Sequence, residues 1–258
     1  LQSLVYHGGF KSYEHFPEDT NPVINSTLTT LSVQLRNEDG LYALLHDFFR
    51  GVTFPSVTNL GILFDAFGSH RSKKNFIIPG AWPRNELHRF MDRSGCVLTT
   101  LSLEGIPLAE SDIVALLKHA PSVHEFTLSE LWAVKPEPGE LSNKEPPSKL
   151  YKSVTRSFLT RLRSPGFAPD AFSAQTPLLP KLTSFKLSVQ SHFDADQAFV
   201  DMVKSRWDRS NVDIGEYPTK RLRTVVLYVM NRKLVQDVYE PLKMLDREGM
   251  MVNVFGNG

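Results

Sequence analysis

The chain has 258 residues, of which 41% are apolar and 22% charged. That composition excludes a disordered or low-complexity polymer, because enough apolar surface is present to offset the entropy of ordering. The 29 basic and 28 acidic residues leave a net charge of +1, without the basic excess of a general nucleic-acid binder.

No run of about 18 apolar residues is available to span a bilayer as a helix. Cys96 is the only cysteine. It permits no internal disulfide and fits a reducing compartment, cytoplasmic or nuclear. The chain opens on Leu1-Gln2-Ser3-Leu4-Val5-Tyr6, which reads as a strand and not as a basic segment leading into an apolar signal sequence. The expectation is a piece cut from a longer protein.

One pattern then recurs: apolar, two variable, apolar, one variable, apolar. It runs from a first copy at Leu1-x-x-Leu4-x-Tyr6 through Leu28-x-x-Leu31-x-Val33, Val57-x-x-Leu60-x-Ile62 and Leu98-x-x-Leu101-x-Leu103. It continues at Val123-x-x-Phe126-x-Leu128, Leu182-x-x-Phe185-x-Leu187 and Leu222-x-x-Val225-x-Leu227. The copies start 27, 29, 41, 25, 59 and 40 residues apart. Three of these intervals lie at or near the leucine-rich-repeat period of roughly 20–29 residues, and the other three require insertions. The last apolar pair of each copy alternates with polar residues, the period of a half-buried strand. Pro55, Pro121, Pro180 and Pro218 stand ahead of four copies, where proline ends a helix and is tolerated at a strand entrance.

Helices are expected between the copies, at Tyr42–Phe49, Arg84–Arg93, Ile113–His119, Lys149–Arg163, Asp196–Arg209 and Val238–Glu248. Alternating strand and helix argues for parallel strands with helical crossovers. A doubly wound sheet would make its strands apolar on both faces. Here Thr100, Ser102 and Glu104 flank Leu101 and Leu103, so one face meets water. The fold class expected is α/β: a leucine-rich-repeat solenoid, curved, with parallel strands on its concave face and helices on its convex face. The whole chain, 1–258, is expected to form one repeat domain, with insertion loops near 66–80 and 133–148.

Catalytic patterns are missing. The sequence contains no Gly-x-Gly-x-x-Gly, no phosphate-binding Gly-Lys-Ser/Thr loop, no Gly-x-Ser-x-Gly elbow and no His-Glu-x-x-His. One cysteine cannot build a thiolate zinc site. Asp194 and Asp196 read as the opening of a helix, and Cys96 reads as a small buried hydrophobe. The basic clusters Arg71–Lys74 and Lys220–Arg223 read as solvated loop charge, since neither is interleaved with stacking aromatics. No enzyme activity, cofactor or metal is therefore expected.

A binding surface is expected instead, on the outward strand positions. These begin with Thr30, Ser32, Gln34, Asn59 and Gly61. The candidate site proper is Thr100, Ser102 and Glu104; Glu125, Thr127 and Ser129; Ser184, Lys186 and Ser188; Thr224, Val226 and Tyr228. Val226 and Tyr228 stand out on a wall otherwise built from Ser, Thr and Glu, and tyrosine is enriched among interface hot spots. The alternative is that Tyr239–Phe255 folds back over both as a C-terminal cap.

The segment Arg93-Ser94-Gly95-Cys96-Val97-Leu98-Thr99-Thr100-Leu101-Ser102-Leu103-Glu104-Gly105-Ile106-Pro107-Leu108, a helix ending in Leu116-Leu117, and Pro121-Ser122-Val123-His124-Glu125-Phe126-Thr127-Leu128 closely resemble F-box leucine-rich-repeat proteins of mushroom-forming fungi. Leu178–Phe185 resembles that family's recurring repeat start. The ending through Val200–Trp207, Leu222–Val229 and Leu242–Val254 is similar too. The resemblance implies a substrate-receptor subunit of a cullin–RING ubiquitin ligase, whose repeats hold a protein substrate. The Skp-type adaptor would bind through an F-box upstream of this chain, because no F-box helices precede the repeats. It implies neither a nucleic-acid nor a membrane partner. The alternatives are a repeat scaffold unrelated to ubiquitination and, less favoured, an enzyme with an unrecognised site.

Overall fold

A computed structural model describes residues 2–8, 22–36, 41–65, 82–130, 153–164, 177–208 and 219–257. The expected insertion loops near 66–80 and 133–148, and the basic cluster Arg71–Lys74, lie outside the described residues. Two compact units form: Leu1–Leu108 with Leu131–Tyr151, and Ala109–Glu130 with Lys152–Gly258.

The first unit contains β1 (Ser3–Gly8), β2 (Val23–Ile24), β3 (Thr30–Arg36), α1 (Leu41–Gly51), β4 (Val52–Thr53), β5 (Asn59–Asp65), α2 (Arg84–Ser94) and β6 (Thr100–Glu104). Strands β1, β3, β5 and β6 lie side by side in that order, and every pair is parallel. The register aligns the repeated apolar positions. Leu4, Leu31, Leu60 and Leu101 form one row, and Tyr6, Val33, Ile62 and Leu103 the next. Both rows are buried from β3 to β6, because a one-residue slip would turn every apolar side chain to water. The leading residues Leu28, Val57 and Leu98 are buried as well.

Helix α2 shows why its segment is helical. Leu87, Phe90, Met91 and Ser94 are its buried residues, spaced three or four apart on one stripe. It stops at Gly95, whose φ of +58° is left-handed and whose N–H reaches back to the Met91 and Asp92 carbonyls. Phe90 packs against Phe49 of α1 with ring centroids 5.2 Å apart.

The second unit contains α3 (Glu110–His119), β7 (Glu125–Ser129), α4 (Arg156–Arg161), β8 (Ser184–Val189), α5 (Asp196–Trp207), β9 (Thr224–Met230), α6 (Gln236–Arg247) and β10 (Met251–Asn257). Its strands pair in the order β7, β8, β9, β10, again parallel. Phe126, Phe185, Val225 and Val252 share one row, and Leu128, Leu187, Leu227 and Val254 another. The expected helices are present; in the 149–163 stretch the described residues begin at 153, and of these Arg156–Arg161 are helical. Thr155 caps α4, its Oγ1 accepting from the Phe158 N–H at 3.1 Å. The parallel strands and helical crossovers make the chain an α/β protein.

Within each unit, two devices tie neighbouring copies together. The first is a ladder just ahead of the strands. The N–H groups of Thr29 and Thr30 both donate to the Gln2 carbonyl, those of Thr58 and Asn59 to Thr29, and those of Thr99 and Thr100 to Thr58. The same pattern runs from Thr183 and Ser184 to His124, and from Arg223 and Thr224 to Thr183. Where the ladder residue is threonine its hydroxyl adds a rung: Thr29 Oγ1 to Gln2, Thr58 to Thr29, Thr99 to Thr58 and Thr183 to His124, at 2.9–3.4 Å.

The second device is an Arg and Ser pair in the last turn of a helix. Arg93 donates to the carbonyls of Phe49 and Val52 at 2.7 and 2.6 Å, and Ser94 Oγ accepts from the Phe54 N–H at 3.0 Å. In the second unit Arg206 donates to the carbonyls of Leu162, Leu178 and Leu179, and Ser205 Oγ accepts from the Ser164 N–H at 3.2 Å. Both devices satisfy backbone groups that the irregular crossovers would otherwise leave without partners.

Leu101 is fully buried in the first unit. Leu101→Ala is expected to cost about 3 kcal/mol through lost transfer energy and the residual cavity. A denaturant titration checks this; an unchanged midpoint would mean that the row is not packed.

Candidate outward-face binding surface

The candidate residues project from the strand face opposite the buried rows. In the first unit, register places Thr100 beside Asn59 and Thr30, and Ser102 beside Gly61 and Ser32. These side chains bond among themselves. Asn59 Nδ2 donates to Thr30 Oγ1 at 3.3 Å, and Ser102 Oγ donates to Glu104 Oε1 at 2.6 Å. That part of the face is small, polar and half-buried.

The second unit differs. Glu125, Ser184, Thr224 and Met251 make its first row, Thr127, Lys186, Val226 and Asn253 its second, and Ser129, Ser188, Tyr228 and Phe255 its third. Tyr228 and Phe255 stack with ring centroids 4.8 Å apart and planes 15° from parallel. Lys186 Nζ lies 6.0 Å from the centre of the Tyr228 ring, within reach of a cation–π attraction. Phe255 is 47% exposed and Met251 58% exposed, so the aromatic pair stands open to solvent. Ser129 is the exception among the candidates: at 8% exposure it is buried and presents little to a partner.

Tyr239–Phe255 does not fold over Val226 and Tyr228, both of which stay half-exposed. Tyr239 belongs to α6, and β10 adds a strand beside β9. Strand β10 therefore widens the face and contributes Met251, Asn253 and Phe255. Sequence reasoning missed these three, although Met251-Val252-Asn253-Val254-Phe255 alternates as a half-buried strand should. The opposite face of β10 is less well covered. Val252 and Val254 line a cleft of about 260 Å³ with Leu234, Tyr239, Leu242 and Lys243.

The remaining polar groups serve the scaffold. The buried Glu130 carboxylate accepts from the Val154 and Gln190 N–H groups at 3.3 and 3.1 Å. Asp196 opens α5, as expected, and also accepts from Arg232 and from the Tyr239 hydroxyl. Burial and that carboxylate push the Tyr239 phenol well above its ordinary pKa. Cys96 is half-buried, and desolvation raises its thiol pKa. His46 Nδ1 meets Asp47 at 2.9 Å, and its Nε2 lies 3.5 Å from Glu86, a polar cluster across α1 and α2. Trp82 packs edge-on to Tyr42, whereas Trp207 carries the Arg221 guanidinium 3.1 Å over its ring.

Among the described residues, no three or more His, Cys, Asp or Glu side chains gather where they could hold a metal ion. No helix among them is long and apolar enough to cross a membrane. Comparison with protein-family models, with curated proteins and with solved structures returned no match.

Proposed function

We propose that the chain is a non-catalytic protein-recognition module: a leucine-rich-repeat solenoid whose outward strand face holds a protein partner. Its strands would line the concave side and its helices the convex side. The observation that carries the reading is the register, which superposes the recurring apolar positions copy on copy and leaves the alternate positions facing water. The resemblance to F-box repeat proteins adds the assembly. The chain would be the substrate-binding repeat region of a cullin–RING ubiquitin ligase subunit, acting in the cytoplasm or nucleus. Its Skp-type adaptor would be held by an F-box outside these residues.

Partner capture is centred on Lys186, Tyr228 and Phe255, where a cation and two stacked rings combine area with little rotamer entropy to lose. Affinity capture with the full-length protein from its source, followed by identification of what binds, tests the reading. Tyr228→Ala and Lys186→Glu are each expected to reduce recovery of the partner at least about tenfold while leaving the melting temperature nearly unchanged. Recovery of a Skp-type adaptor and a cullin would support the ligase assignment, and their absence from a stable partner complex would favour a scaffold unrelated to ubiquitination. If Tyr228→Ala lowers the melting temperature by several degrees, Tyr228 is a packing residue and the surface is misplaced.

A further inference from the structure

The leading edge of the second unit, just ahead of its strands, carries a concentration of positive charge. Before β7 stands His124, before β8 Lys181, and before β9 Lys220, Arg221 and Arg223. Backbone bonds hold these segments in step: Thr183 N–H to the His124 carbonyl at 2.8 Å, Arg223 N–H to Thr183 at 2.8 Å, and Lys220 N–H to Pro180 at 2.7 Å. Lys181, Lys220 and Arg223 are exposed, and among the described residues none of the three forms a salt bridge. Burial first, then the charges of Lys220 and Lys181, hold the His124 imidazole below its ordinary pKa against the opposing pull of Glu125. Of the nearby carboxylates, Glu248 is already engaged by the Trp207 indole N–H at 2.7 Å.

This charge runs against the local folding rule. The ladder position occupied by His124 and Arg223 is threonine in four other copies, where the hydroxyl adds a bond to the preceding carbonyl. Histidine and arginine forgo that bond, and Arg223 joins Lys181 and Lys220 as like charges at an exposed edge. Such repulsion is relieved when an anionic partner binds.

We propose that Lys181, Lys220, Arg223 and His124 form a docking edge for an acidic peptide, an extended segment rich in Asp and Glu. The side chains span three strands, about 10 Å at the usual strand spacing, which suits carboxylates spaced about 7 Å apart on one side of an extended chain. The edge offers no backbone cradle for a phosphate, since the N–H groups of Lys220, Leu222, Arg223, Thr183 and Ser184 are all consumed by protein carbonyls. Bases of a nucleic acid would need a free aromatic face, and Arg221 covers that of Trp207. The edge lies beside the outward face, and its role does not depend on what that face binds.

Fluorescence anisotropy with the full chain and a fluorescein-labelled poly-glutamate peptide tests this. Saturable binding is expected, with none for a poly-lysine peptide, and affinity should fall steeply as salt rises. Lys181→Glu combined with Lys220→Glu should weaken it about tenfold or more, and Arg223→Glu should weaken it further. Lys233→Glu, at the opposite end of β9, should leave it unchanged. If the reversed-charge protein unfolds, Lys181→Gln with Lys220→Gln takes its place, with the same direction of effect. Failure to bind poly-glutamate, equal binding by the edge variants, or tighter binding of labelled oligothymidylate or of inorganic phosphate would each overturn the proposal.

Discussion

Replacing Arg206 with alanine is expected to lower the unfolding free energy by about 4 kcal/mol, read from the midpoint of a denaturant titration. Arg206 is fully buried, yet among the described residues no carboxylate accompanies it. Its guanidinium donates to backbone: the carbonyls of Leu162, Leu178 and Leu179, the last two at 2.6 and 2.9 Å. Desolvation pushes its pKa down to about 10, so it remains charged at neutral pH.

The turn it holds is itself unfavourable, since Leu179 has a φ of +51°, a left-handed conformation costing a side-chain-bearing residue roughly 1–2 kcal/mol. Alanine would leave the Leu162 and Leu178 carbonyls without donors, at about 1–3 kcal/mol each before water enters, while the Leu179 carbonyl keeps the Leu182 N–H at 3.1 Å. Arg206→Lys keeps the charge but cannot present a planar fork, so it should recover only part of the loss. Arg206→Met separates the two contributions: it removes the desolvated charge yet still leaves the carbonyls bare. Stability equal to the unaltered protein in Arg206→Met would show that the carbonyl contacts do no more than offset the cost of desolvating the charge.

Phe185→Ala is expected to cost a similar amount, about 4 kcal/mol. Phe185 lies in the buried row of the second unit. Its ring stacks on Phe126 of β7, with centroids 5.7 Å apart and planes 7° from parallel, and it meets Phe199 of α5 at 6.5 Å. One side chain therefore joins two strands and the helix that covers them, and its removal opens a cavity that neighbours on three elements must close together. Phe185→Leu, which keeps most of the volume, should cost less than about 1.5 kcal/mol. If alanine and leucine cost the same, aromatic packing is not what holds this row. Phe185 adjoins Lys186 in β8 but turns to the buried face while Lys186 is exposed, so losses of stability and losses of partner capture can be told apart.

The strand rows were legible because burial on one face imposes a period of two that a sequence cannot hide. Leu101 with Leu103 and Phe185 with Leu187 announce which face turns inward, and Pro121 and Pro180 mark where the chain enters each strand. Helices α2 and α5 were legible for the same reason at a period near four. What composition cannot display is the partner of a polar group. Thr29, Thr58, Thr99 and Thr183 looked like variable positions, and only the superposed copies show each hydroxyl bonding to the carbonyl one copy back. Arg206 carries no mark in the sequence to separate it from a solvated arginine, since its role depends on carbonyls 27–44 residues away. The pairing of Phe255 with Tyr228 depended likewise on where β10 landed. A short alternating segment can cap a sheet or extend it, and the free edge of β9 decided the matter by offering β10 a full set of backbone partners.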